Sequence, residues 1–310
     1  RKLYDGHVNR AAALFPYWIN ENNETHVVFQ NYWHWKRGIN VIMRLTIYND
    51  VSKPFVVLNE KVTKSNFDLK ISNFIDRKVK ENMRGMFQLE IFSSKDDNIV
   101  FPFPAVMVYY GNGNGEYSCV HSAGRTLENE ILGEEKFDET NFYCKLNNEI
   151  TPFIHLFTGS NSYIKDISIE IFSIKNELVQ ILKIPDLTKN YQSEIIYLND
   201  YLNTTQKKFL NKLPRFFLKI KGTSKGIFPR FIVGNYSKFK KMHYVTHSFR
   251  NVKENDFITC EDQYQIKYLS SIALTTPPNI TLRSIIYPTC GDEIAVDAIK
   301  FENIKNRTSL

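Results

Sequence analysis

The chain has 310 residues, 43% hydrophobic and 24% charged, with a formal net charge of +7 at pH 7, which is globular composition with room for two or three cores. No apolar run approaches the roughly 18 to 20 residues that a membrane helix needs, so no membrane span is expected. Four cysteines, Cys119, Cys144, Cys260 and Cys290, lack C-x-x-C spacing, which excludes a zinc ribbon or a thioredoxin-type motif and suggests free, mostly buried thiols.

In chain order, residues 1–14 read as an N-terminal segment and 15–125 as a first patterned block. The apolar Val27-Val28-Phe29 runs into Gln30-Asn31. Tyr32-Trp33-His34-Trp35-Lys36 follows; as a strand it places Trp33 and Trp35 on one face and Tyr32, His34 and Lys36 on the other. Val41 to Tyr48 alternates, with Val41, Met43, Leu45 and Ile47 on one side. Ile75 to Met83 is less strand-like and is expected as a short helix or structured loop. Phe87 to Ile91 is a half-buried strand closed by the polar turn Ser93 to Asn98. Gly111-Asn112-Gly113-Asn114-Gly115 reads as a hairpin turn, because no helix follows it as a phosphate cradle requires.

An acidic linker is expected over 126–139, and a second block over 140–250 repeats the landmarks of the first. Asn147-Asn148-Glu149 follows Asn22-Asn23-Glu24, Ile169 to Phe172 follows Leu45 to Tyr48, Phe216 to Ile220 follows Phe87 to Ile91, and Thr246-His247-Ser248 follows Val120-His121-Ser122. Each recurs after about 125 residues. Asn203 to Lys212 reads as a short helix with Thr204 or Thr205 as its N-cap. Residues 251–310 read as a linker and a partial third repeat, since Asn279 to Tyr287 echoes Asn40 to Tyr48. The expected fold class is all-β: tandem antiparallel β-sandwich domains, two complete and a third truncated, arranged as beads on a string.

The order of Val27 to Asn31, Leu45 to Tyr48, Ile71-Ser72-Asn73-Phe74 and Phe103 to Val108 resembles the strand order of the sensory rhodopsin transducer family. The resemblance covers each full copy separately. It implies small β-sandwiches that serve as soluble, non-enzymatic partners and are likened to carbohydrate-binding folds. The tandem arrangement, the His-Ser segments and the basic second copy depart from that family's pattern.

His121 and His247 stand out because His-Ser closes both copies, followed by Arg125 or Arg250. A histidine beside a hydroxyl and a guanidinium can bind an anion or a metal; the alternative is a structural ring hydrogen-bonded to a neighbouring loop. The remaining histidines lack metal-ligand spacing, and no metal or cofactor is expected. With no G-x-S-x-G elbow and no P-loop the chain does not read as an enzyme, although one built on the His-Ser-Arg segments is an alternative. Tyr32, Trp33, His34 and Trp35 form the second candidate surface, since the second copy carries Phe157-Thr158-Gly159-Ser160-Asn161 there. The alternative is that the tryptophans fill the core. The function expected is a non-enzymatic binding or adaptor protein for a glycan or protein ligand. From Tyr201 to Lys253 there are thirteen basic and no acidic residues, which adds an anionic surface or polymer as an alternative partner; nucleic acid is not expected. Localisation stays open, with the thiols favouring the cytoplasm, and the chain opens on Arg1, so a leader upstream is not excluded.

Overall fold

The computed structural model describes Val8 and residues 10–250, apart from 21, 50–52, 76–82, 96, 100–105, 112–115, 122–132, 174–176 and 228, together with strands 281–286 and 294–300. Eight strands form the first sandwich: β1 (Arg10–Ile19), β2 (Glu24–Gln30), β3 (Val41–Tyr48), β4 (Pro54–Lys61), β5 (Asn66–Lys70), β6 (Met83–Ser93), β7 (Val106–Gly111) and β8 (Tyr117–His121). They make two antiparallel sheets, ordered β1-β6-β3-β4 and β5-β2-β7-β8. Alternation decides which side faces inward. In β2, Thr25, Val27 and Phe29 are buried while His26 and Val28 are only half-buried.

The second sandwich contains β9 (Glu134–Cys144), β10 (Ile150–Phe157), β11 (Tyr163–Ser173), β12 (Leu178–Lys183), β13 (Ser193–Tyr197), β14 (Phe216–Lys225), β15 (Ile232–Ser237), β16 (Met242–His247) and the short β17 (Phe249–Arg250). Its sheets run β12-β11-β14-β9-β17 and β13-β10-β15-β16. Strand for strand, this is the order of the first sandwich, with β17 added at one edge. Strands β18 (Thr281–Ile286) and β19 (Ile294–Lys300) pair as an antiparallel hairpin, as β3 does with β4 and β11 with β12.

Among the described residues three α-helices interrupt the strands, α1 (Tyr32–Arg37), α2 (Leu198–Tyr201) and α3 (Thr204–Lys212), along with a 3-10 turn at Ile71–Phe74. Helix α3 falls where a helix is expected, but Asn203 caps it: its side chain accepts from Gln206 N, and Gln206 returns a bond to the Asn203 N–H. Cys144 is buried as expected, whereas Cys119 is exposed.

Several sequence expectations change. Strand β1 starts at Arg10 and its Ala11 to Leu14 are core, so the first sandwich begins inside the presumed N-terminal segment. The acidic linker is shortened because Glu134 to Glu139 belong to β9. There Glu134 lies opposite Lys225 and Asp138 opposite Lys221 on β14. Opposite charges across a ladder stabilise the pairing, so the run that looks like a solvated linker is complementary to the basic strand beside it. The bead-like arrangement is also replaced, because one hydrophobic core runs through residues of both sandwiches.

Candidate functional site

Helix α1 explains the aromatic run. Asn31 Oδ1 accepts from His34 N, Gly38 closes the helix in the left-handed region at φ 67°, and the Gly38 N–H donates to His34 O at 2.8 Å. A helix turns the chain by about 100° per residue, so Trp33 and Trp35 no longer share a face as a strand would have them. Trp33 is fully buried and meets Phe29 edge-on at 6.4 Å, with Tyr32 stacked on it at 4.2 Å. Trp35 is 75% exposed. His34, Lys36 and Arg37 beside it are exposed too. Asn31 fixes the helix to the loop after β4 by donating its side-chain amide to Val62 O and its backbone N–H to Ser65 O, both at 2.9 Å. The flanking Asn31 and Gly38 are the sequence signal that identifies this helix.

The histidine pair proves to be one place rather than two. His121 ends β8 and His247 ends β16, and their rings meet edge to face at 5.1 Å. Strands β8 and β16 lie side by side at the seam between the sandwiches. Ser118 Oγ accepts from Val245 N at 2.7 Å and donates to Val245 O at 3.1 Å. Glu116 takes an ion pair from Lys240 at 2.8 Å. Burial and the Arg230 charge depress the imidazole pKa of His121. Burial lowers that of His247 to about 4, with Arg230 and His121 adding to the effect. His247 Nδ1 lies 2.8 Å from the Ser248 carbonyl and therefore carries the proton of the neutral ring.

The seam also collects residues that the sequence reading did not single out. Register places His155, Ile232 and His247 in one cross-strand row, with Phe153, Gly234 and Val245 in the next and Tyr236 opposite His243 beyond it. All of them lie on the face of this sheet turned toward the first sandwich. Trp18 of β1 stacks on His243 at 4.6 Å and 10°, lies 5.4 Å from His155, and meets Phe153 edge-on at 6.1 Å. Further along, Tyr48 and Tyr191 stack at 3.8 Å, and both hydroxyls donate to Gln88 Oε1. His155 and His243 are buried and held uncharged, His243 at about 3 through burial alone and His155 well below the usual range through burial, His243 and Arg84. Strand β10 is buried on both faces, so periodicity gave no hint that His155 points at a neighbour.

Ser248 is the pivot at which the chain leaves β16 for β17 in the opposite sheet. Fully buried, its hydroxyl accepts from Phe231 N at 3.0 Å and donates to Glu139 at 2.5 Å. The His-Ser dipeptide of the second sandwich is thus a seam residue followed by a structural pivot, and its hydroxyl is inaccessible to a substrate. Arg250 lies in β17 opposite Glu139; Arg125 lies outside the described residues. Among the described residues no three His, Cys, Asp or Glu side chains gather as a metal site requires. No family model matches the chain, and no curated protein matches it in sequence.

Proposed function

We propose that this chain is a non-enzymatic binding protein, built from a duplicated β-sandwich, whose first copy presents Trp35 to a carbohydrate. The observation that carries the reading is a tryptophan 75% exposed on a helix that Trp33 and Asn31 anchor to the core. Holding such a ring in water forgoes the burial that aromatic side chains ordinarily gain. Its surroundings favour a sugar over a protein partner. His34, Lys36 and Arg37 of the same helix are exposed, as are Lys64 and Ser65 of the loop that holds Asn31, giving one flat apolar face on a helix of hydrogen-bonding groups. Protein interfaces bury apolar and aromatic clusters instead.

Kinship with the sensory rhodopsin transducer-like family belongs to this proposal at the level of fold alone, on the sequence resemblance of Val27 to Asn31, Leu45 to Tyr48, Ile71 to Phe74 and Phe103 to Val108. An extended anionic polymer fits less well along β14, where Lys221 pairs with Glu170 at 2.7 Å and Lys219 lies over the Phe172 ring. The test is a glycan and protein array with the whole chain, followed by Trp35→Ala. Loss of a stacking contact of about 1.5 kcal/mol weakens a glycan hit by about tenfold while the melting temperature holds. Equal binding by the variant excludes this surface.

A further inference from the structure

The four-residue turn between β15 and β16 is composed against the rules of turns. Its residues are Lys238-Phe239-Lys240-Lys241, none of them the Gly, Asn, Asp or Pro that tight turns favour. Lys241 sits at φ 49°, in the left-handed region where a lysine is disfavoured. The corresponding connection in the first sandwich, between the paired strands β7 and β8, has the sequence Asn112-Gly113-Asn114-Gly115-Glu116, so nothing in the topology demands lysine and phenylalanine here. Phe239 is 83% exposed and projects from the apex, with Lys238 and Lys241 exposed on either side.

The tip is well held. Lys238 N donates to Glu149 O at 2.8 Å and Lys240 N to Ser237 Oγ at 3.2 Å. The Lys240–Glu116 ion pair ties it to the residue that leads into the neighbouring β8, whose Tyr117 is 52% exposed. We propose that this tip docks the protein onto an anionic membrane surface, with Phe239 entering the headgroup layer and Lys238 and Lys241 meeting the acidic lipid headgroups. A convex apex carrying one apolar ring cannot bury the roughly 800 Å² per partner of an ordinary protein interface. A nucleic-acid duplex, whose bases stack on one another, would engage the lysines through its phosphates and leave the phenylalanine without an apolar layer. A bilayer interface accommodates both at once. The site lies in the second sandwich and does not depend on Trp35.

The test uses the whole chain with phosphatidylcholine vesicles, with and without about 30% phosphatidylserine, in a flotation assay at low and high salt. Binding is expected only to the anionic vesicles, weakening with salt. Lys238→Gln and Lys241→Gln should each reduce it about fivefold. Phe239→Trp should show emission quenched by lipids spin-labelled at the headgroup beyond the quenching of the native tryptophans, and Phe239→Ser should remove what persists at high salt. No binding to anionic vesicles, equal binding to neutral ones, or an unquenched tryptophan overturns the proposal. All three positions are exposed, and an unchanged circular dichroism spectrum separates lost docking from lost fold.

Discussion

Replacing Ser118 with alanine tests whether the two sandwiches form one thermodynamic unit. The hydroxyl serves both backbone groups of Val245, accepting at 2.7 Å and donating at 3.1 Å, and Val245 is 6% exposed. Such outward-facing backbone groups make an edge strand prone to unwanted pairing; here a side chain of the other sandwich caps them. Ser118→Ala leaves one buried donor and one buried acceptor without a partner, at a cost of about 1–3 kcal/mol. Because Ser118 is half-buried and water can reach part of the gap, we expect about 1–2 kcal/mol. At about 2–4 °C per kcal/mol for a unit of this size, the melting temperature should fall by about 2–8 °C. Differential scanning calorimetry should show one transition moving as a whole, and Ser118→Thr, which keeps the hydroxyl, should restore most of the loss. An unchanged melting temperature, or a thermogram in which only one of two transitions moves, would refute the shared seam.

Trp33→Ala should cost about 3–5 kcal/mol by chemical denaturation, as expected for a fully buried aromatic residue, whereas Trp35→Ala should stay within about 0.5 kcal/mol of wild type. At Gly234, φ is 155° and an added Cβ would lie 1.8 Å from Tyr244 O, so Gly234→Ala should destabilise by more than about 2 kcal/mol; a neutral outcome would mean that the β15–β16 pairing adjusts freely. The seam histidines set the acid response. His155 and His243 are held uncharged when folded but titrate near 6.5 when unfolded. The unfolded chain therefore binds more protons below that pH, and stability present at pH 7.5 declines as the pH falls through about 6.5. At about 1.4 kcal/mol per pH unit for each ring, the two cost about 3 kcal/mol by pH 5.5. Thermal melts across this range should show the decline, and a flat profile would place these rings in contact with solvent.

The fold was legible because strand alternation survives wherever one face meets the core and the other meets water, as in β2 and β3. It failed where that contrast is absent. Strands β1 and β10 are buried on both faces, so their sequences show that they are apolar and not what covers them, and the seam stayed hidden. The Tyr32 to Lys36 stretch misled because alternate aromatic residues satisfy a strand pattern, while the helix is specified by its flanks, Asn31 and Gly38. Glu134 to Glu139 misled for an electrostatic reason: their complement is a strand about ninety residues later, visible only once β9 and β14 are paired. The histidines His121 and His247 were picked out by their equivalent positions, yet equivalence predicted two separate sites. Packing of β8 against β16 joined them into one.

The two sandwiches keep one strand order but differ at their loop ends, and the seam accounts for where the differences lie. Trp18, His155 and His243 are constrained from both sides, since each must fit its own sheet and the opposing sandwich at 4 to 6 Å ring separations. Close-packed interiors tolerate few changes of volume, so that surface is poorly placed to acquire a ligand. The loops are free of this double constraint. Between the second and third strands of each sandwich, one carries helix α1 with Trp35 and the other a plain connection; between the last hairpin strands, one carries glycine and asparagine and the other Phe239 among lysines. Trp35 and Phe239 thus stand where their counterparts show that the fold does not need them, and this contrast within one chain separates residues kept for packing from those available for recognition.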